Sequence, residues 1–138
     1  EMCIRDRLGT TLGEALLAPT IIYVKALNAI REAGVTIHGC SHITGGGFYE
    51  NIPRMLPDGV KAVVKKDSYD IPPIFTLLQK TGDIAEEMMY NTYNMGIGML
   101  LAVDEKDVDT TMKAIEAAGE KCFLVGEINA GEKSVELI

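Results

Sequence analysis

Val35-Thr36-Ile37-His38-Gly39-Cys40-Ser41-His42-Ile43-Thr44-Gly45-Gly46-Gly47-Phe48-Tyr49-Glu50-Asn51-Ile52-Pro53 runs from a β-branched stretch, through three adjacent glycines, into a helix-like one. Val35, Thr36 and Ile37 suit a pleated surface and residues 35–42 carry no helical stripe, which predicts a strand that delivers the chain to the loop. Gly45, Gly46 and Gly47 leave consecutive backbone N–H groups unobstructed, a geometry in which main chain closes on an anion. A tight turn explains the glycines alone equally well. Thr44 adds a hydroxyl and the next helix adds its partial positive charge, so the reading moves to a phosphate-bearing ligand. The loop has neither the Gly-Lys-Ser/Thr ending of a P-loop nor the G-x-G-x-x-G spacing.

Beyond the glycines, residues 48–56 are helical in composition, but Pro53 would remove a donor from a helix interior. The expectation is two short turns, or a helix capped by Asn51 with Pro53 in its first turn. Glu50 and Arg54 stand four apart, and an i,i+4 ion pair explains that spacing as well as a ligand does.

Upstream, Pro19 and Thr20 give a helix start, Tyr23, Leu27 and Ile30 share a face, and Gly34 fits the left-handed position after its end. A short helical turn over residues 12–17 precedes it. Downstream, residues 60–64 read as a strand, 72–80 as a helix ending at Gly82, and 85–90 as another. Residues 95–103 are apolar almost throughout, as a central strand covered on both faces would be. Asp104 begins a helix to Ala118, with Val108, Met112 and Ile115 as its stripe and Gly119 past its end. Residues 122–128 and 134–138 read as strands of a closing hairpin around Asn129-Ala130-Gly131-Glu132. This order predicts an α+β fold: a layered α/β/α domain with one mixed, mainly antiparallel sheet flanked by helices.

The 138 residues fit one domain with a sizeable core. Lys plus Arg number 13 against 20 Asp plus Glu, a net charge of −7 that disfavours nucleic acid. Backbone amides can still hold a small phosphorylated ligand. No apolar run suits a bilayer and no signal pattern opens the chain, so no membrane partner and a cytoplasmic location are expected. Cys3, Cys40 and Cys122, odd in number and far apart, read as reduced thiols. Glu1 stands where an initiator Met would, and residues 1–7 lack periodicity. Residues 1–7 are therefore expected to be non-native, resembling translated sequencing adapter, and residues 8–138 to be a domain of a longer protein.

His38, Cys40 and His42 alternate along one strand, a spacing that could hold a transition metal. No fourth ligand is apparent, and core packing of the thiol is the stronger reading, so no metal is assigned. His42 could help hold a phosphate or satisfy a carbonyl. No Ser lies in a nucleophile elbow and neither His has a partner at a recognisable spacing. Gly96 and Gly98 mark a bulge or a close backbone approach.

Residues 42–54 closely resemble the signature of the phosphoribosylformylglycinamidine cyclo-ligase family, the aminoimidazole ribonucleotide synthetases. Leu12-Gly13-Glu14-Ala15-Leu16-Leu17-Ala18-Pro19-Thr20 with Ile22-Tyr23-Val24-Lys25, then Glu87-Met88-Met89-Tyr90, then Asn91-Thr92-Tyr93-Asn94-Met95-Gly96-Ile97-Gly98-Met99 match the same family in order. The resemblance covers residue 8 onward and only the family's C-terminal domain. It implies a parent enzyme that uses ATP to close the imidazole ring of formylglycinamidine ribonucleotide in purine biosynthesis. ATP, Mg²⁺ and the main surface of a homodimer would belong to an N-terminal domain absent here, leaving this part inactive alone. By the same resemblance Thr44, Gly45, Gly46 and Gly47 hold a substrate phosphate, with Asn51, Asn94 and Gly96 beside the cleft and His42 a further possibility. Ile21 stands where the family often carries a basic residue, which puts a contact from that side in doubt. Catalytic residues are not assigned. The alternatives are another member of the ATP-dependent superfamily, such as formylglycinamidine ribonucleotide synthetase, thiamine-monophosphate kinase, selenophosphate synthetase or a hydrogenase maturation factor, or a free-standing binding or assembly module.

Overall fold

The computed structural model describes residues 8–138. The expectation about residues 1–7 falls outside them. Helix α1 (Leu12–Leu16) starts on a reciprocal cap in which the Thr11 hydroxyl accepts from the Glu14 N–H and Glu14 accepts from the Thr11 N–H. None of its residues is buried. An extended stretch follows in which Leu17 is 83% and Ile22 80% exposed.

Helix α2 (Val24–Glu32) begins later than Pro19 and Thr20 suggested, and buries Ala26 and Ile30. It ends as expected, with Gly34 at φ +79 and the Val35 N–H reaching back to the Ile30 carbonyl. Strand β1 (Ile37–His42) alternates, with Ser41 buried and His38, Cys40 and His42 on the exposed face.

Helix α3 (Gly47–Met55) is continuous, which corrects the expectation of two turns or a start at Asn51. Pro53 lies in its last turn, where the Leu56 N–H bonds to the Pro53 carbonyl and the helix stops. The proline costs about 3 kcal/mol in an interior. Phe48 and Ile52, 1% and 0% exposed, each return about 2–3 kcal/mol on burial, so an unbroken helix wins.

The remaining elements are β2 (Val60–Val64), α4 (Pro73–Gly82), α5 (Glu86–Thr92), β3 (Met99–Val103), a 3₁₀ turn (Glu105–Asp107), α6 (Val108–Ala117), β4 (Gly126–Ala130) and β5 (Val135–Leu137). The α+β class and mainly antiparallel pairing stand, but the strands form two sheets rather than one. β1 pairs antiparallel with β3, while β2 lies between β4, antiparallel, and β5, parallel. The closing hairpin is therefore corrected: β4 and β5 flank β2 instead of pairing. β2 buries Ala62 and Val64 and has both backbone edges satisfied by this insertion. Two strand spacings, about 10 Å, lie within reach of the four residues that connect β4 to β5.

The expected strand over residues 95–103 is shorter, beginning at Met99. Met95 at φ +51 and Gly96 at φ +95 make residues 94–97 a turn, closed by the Ile97 N–H on the Asn94 carbonyl. All five β3 residues are half-buried, so it is not a central strand covered on both faces. Asp104 caps the 3₁₀ turn only through its backbone, because its carboxylate pairs with His38 at 3.3 Å. α2 packs on α6, and α3 lies on β1, β2 and α5. Phe48, Ile52, Met89 and Tyr90 fill the centre of the core, Phe48 and Tyr90 meeting edge to face at 5.3 Å.

Candidate functional site

The glycine loop joins the exposed end of β1 to the N-terminus of α3. Thr44 and Gly45 are exposed, Gly46 is half-buried and Gly47 is buried. Gly46 at φ +91 and Gly47 at φ +54 both take the left-handed conformation that side chains resist. At Gly47 the constraint is double, since a Cβ there would overlap the Tyr90 carbonyl oxygen. The loop is thereby seated on the last turn of α5. From the other side the Ile43 N–H bonds to the Gly98 carbonyl at 2.8 Å. The Ile43 bond to Gly98 and the seat of Gly47 on Tyr90 bring the two ends of the loop against the segment that runs from α5 to β3.

Asn51 is 4% exposed and points into the loop from one turn inside α3. Its amide donates to the carbonyls of Thr44 at 3.3 Å, Gly45 at 3.1 Å and Gly47 at 2.7 Å. Below it, the buried Ser41 hydroxyl donates to the Asn51 carbonyl at 2.9 Å. Asn51 is therefore not the helix cap that its residue type suggested; its amide is committed to loop carbonyls. With those carbonyls gathered inward, the N–H groups of Gly45, Gly46, Phe48 and Tyr49 have no acceptor among the described residues. The Gly47 N–H returns to the Thr44 carbonyl at 3.0 Å. Free donors at the tip of a nine-residue helix form a cradle for an anion.

Asn94 is half-buried and its carboxamide oxygen accepts from the Gly96 N–H at 2.9 Å, so it shapes its own turn. Gly96 is exposed, and Pro72 packs so closely on its Cα that any side chain would collide. His42 is exposed at the start of the loop and meets the Tyr23 ring edge to face at 6.0 Å. Cys40 places its thiol 3.7 Å from the Met99 sulfur, and partial desolvation raises its pKa, which keeps it protonated. Among the described residues no three His, Cys, Asp or Glu side chains converge on a point that could hold a metal.

Three participants escaped the sequence reading. The Tyr90 backbone carries Gly47, Tyr23 lays its hydroxyl against Gly98, and Met95 holds a left-handed conformation beside Asn94. Tyr23 and Tyr90 lie within matched stretches, but nothing in their type announces a backbone contact. Desolvation, then the Glu120 carboxylate, pushes the Tyr23 phenol up, so it stays neutral. A separate cavity of about 680 Å³ opens between α2, β3 and α6, lined by residues such as Leu27, Leu101 and Met112. It shares Gly96 and Gly98 with the 94–98 segment but does not include the glycine loop.

Comparison with known proteins places residues 3–138 on the family model described as AIR synthase related protein, C-terminal domain. The chain is 68% identical over 132 residues to a phosphoribosylformylglycinamidine cyclo-ligase of Lachnospira eligens, covering 96% of this chain and 39% of that protein. Against the protein of the same name from Agathobacter rectalis it is 64% identical over 133 residues, covering 96% and 39%. A Lachnoclostridium phytofermentans relative, also of that name, is 62% identical over 130 residues. The chain thus spans about two-fifths of the length of these relatives.

Proposed function

Because the chain belongs to the C-terminal domain family of AIR synthase related proteins, we propose that it is the substrate-side part of an ATP-dependent cyclo-ligase. The parent would convert formylglycinamidine ribonucleotide to aminoimidazole ribonucleotide in purine biosynthesis. The observation that carries this is the cradle of free N–H groups at Gly45, Gly46, Phe48 and Tyr49, on a loop held open by Asn51. It fits the ribose phosphate of such a substrate, since main-chain donors bind a phosphate without a basic surface.

In this reading Thr44, Gly45 and Gly46 seat the phosphate with the N–H groups of Phe48 and Tyr49, while Gly47, buried and with its N–H on the Thr44 carbonyl, shapes the turn. Asn51 and Asn94 act one step removed, holding the loop and the neighbouring turn, while Gly96 and His42 border the cleft. ATP and Mg²⁺ are assigned in this reading to the part of the parent outside this chain. The parent is further proposed to be a cytoplasmic homodimer. No helix among the described residues is long and apolar enough to cross a membrane.

Titration of the chain with ribose 5-phosphate, followed through backbone amide resonances, tests the reading. Gly45, Gly46, Phe48 and Tyr49 are expected to shift together and saturate in the millimolar range, about 4 kcal/mol of binding. Unmoved resonances at high ligand concentration would sink the assignment.

A further inference from the structure

A single exposed apolar side chain is ordinary on a protein surface, whereas a cluster of them marks a contact. Ten large apolar side chains stand exposed among the described residues, and seven of them fall within residues 16–24 and 123–124. These two stretches meet in the fold. Ile21, Phe123 and Leu124, between 45% and 61% exposed, all line the cavity of about 680 Å³ between α2, β3 and α6. Leu17 and Ile22 stand exposed on the stretch that leads to it. Deeper in, Leu27, Met112 and Ile115 line the same cavity from the apolar stripes of α2 and α6, yet they are only half-buried. Two helices and a strand thus hold an apolar cavity whose mouth, rimmed by exposed side chains, stays open among the described residues.

What covers the mouth follows from the length of chain outside this domain. The chain spans 39% of the Lachnospira eligens and Agathobacter rectalis relatives, and the matching family model is that of a C-terminal domain, so about three-fifths of such a protein precedes this fold. A body joined ahead of residue 8 enters beside residues 16–24, and a short tether keeps it at high effective concentration over the cavity mouth. A second copy fits less well, because the net charge of −7 on each chain opposes bringing two together. We propose that the cavity mouth, with Leu17, Ile22 and Leu124 on its rim, is the docking surface for the part of the parent protein that precedes this domain, and that apolar side chains of that part enter the cavity. This rests on family membership alone. Loss of the phosphate reading of the glycine loop would leave it standing.

Hydroxyl-radical footprinting of this chain and of the full-length parent tests the surface. Leu17, Ile22, Phe123 and Leu124 are expected to be labelled several-fold more slowly in the parent. Leu17→Ser and Leu124→Ser, made together, should leave the amide spectrum and urea midpoint of this chain unchanged, since both side chains are exposed here. In the parent the same pair should speed proteolytic cleavage ahead of Val24 on the order of tenfold, because two apolar side chains lose their burial against the preceding part. Equal labelling of the four side chains in parent and chain overturns the proposal, as does a doubly substituted parent that is cleaved no faster. Protection that fades on dilution, in step with dissociation of the parent into monomers, would give the surface to a second copy and overturns it as well.

Discussion

Gly47→Ala is expected to destabilise the chain by about 3–5 kcal/mol, a large part of what a domain of this size possesses. Two costs combine. The backbone sits at φ +54, where a residue with a Cβ is strained by about 1–2 kcal/mol. The new methyl also meets the carbonyl carbon of Tyr90 at 2.7 Å and crowds the carbonyl oxygens of Tyr90 and Tyr93, so relief requires moving backbone rather than a side chain. α5 cannot retreat cheaply, because Met89 and Tyr90 are 0% and 2% exposed in the core. Gly46→Ala is the internal comparison. Its φ of +91 is equally unfavourable, but its nearest obstacle is the movable Glu50 side chain, so about 1–2 kcal/mol is expected. Urea unfolding of both variants checks the difference. Equal losses would mean that the contact with Tyr90 contributes nothing.

Asn51→Asp should cost about 3 kcal/mol or more at neutral pH, exceeding Asn51→Ala, for which about 1–3 kcal/mol is expected from carbonyls left without a donor. Asp has nearly the shape of Asn, but it would turn a carboxylate oxygen toward the carbonyls of Thr44, Gly45 and Gly47 in place of an N–H donor. Arg54 reaches the Asn51 carboxamide oxygen at 3.3 Å, but its own exposure limits how much of the new charge it offsets. The introduced carboxyl would therefore have a raised pKa in the folded chain. A group of that kind carries its full penalty above the folded pKa and sheds it as pH falls toward the unfolded value near 4. Once protonated it can again donate to a carbonyl. Unfolding midpoints measured at neutral and at mildly acidic pH should show Asn51→Asp gaining on the unaltered chain as pH falls, with Asn51→Ala showing no such gain. A parallel response of the two variants would remove the charge argument.

The glycine loop and the strand before it were legible because each rests on local chemistry: residues without a Cβ and β-branched residues. The same holds for the ends of α2 and α6, where Gly34 and Gly119 take positive φ as expected. Strand pairing was not legible. Val60, Ala62 and Val64 announce a strand but carry no mark that its neighbours would be β4 and β5, which decide between a hairpin and an inserted strand. Pro53 misled because its cost is local while the burial of Phe48 and Ile52 that outweighs it is tertiary. Asn51 misled for a related reason: its residue type favours a cap, and only the returned loop supplies the three carbonyls that occupy it. The Glu50–Arg54 pair was legible from its spacing and stands at 3.6 Å.

The unburied helix α1 and the extended stretch behind it have a practical consequence. A segment in which no helix residue is buried offers a protease accessible backbone between Leu17 and Thr20, and a cut there would leave Tyr23 on Gly98 and spare the interior packing. The loop, fastened instead to Asn51, Tyr90 and Gly98, would survive such trimming. The chain thus separates a dispensable handle from the part that can still be asked what it binds.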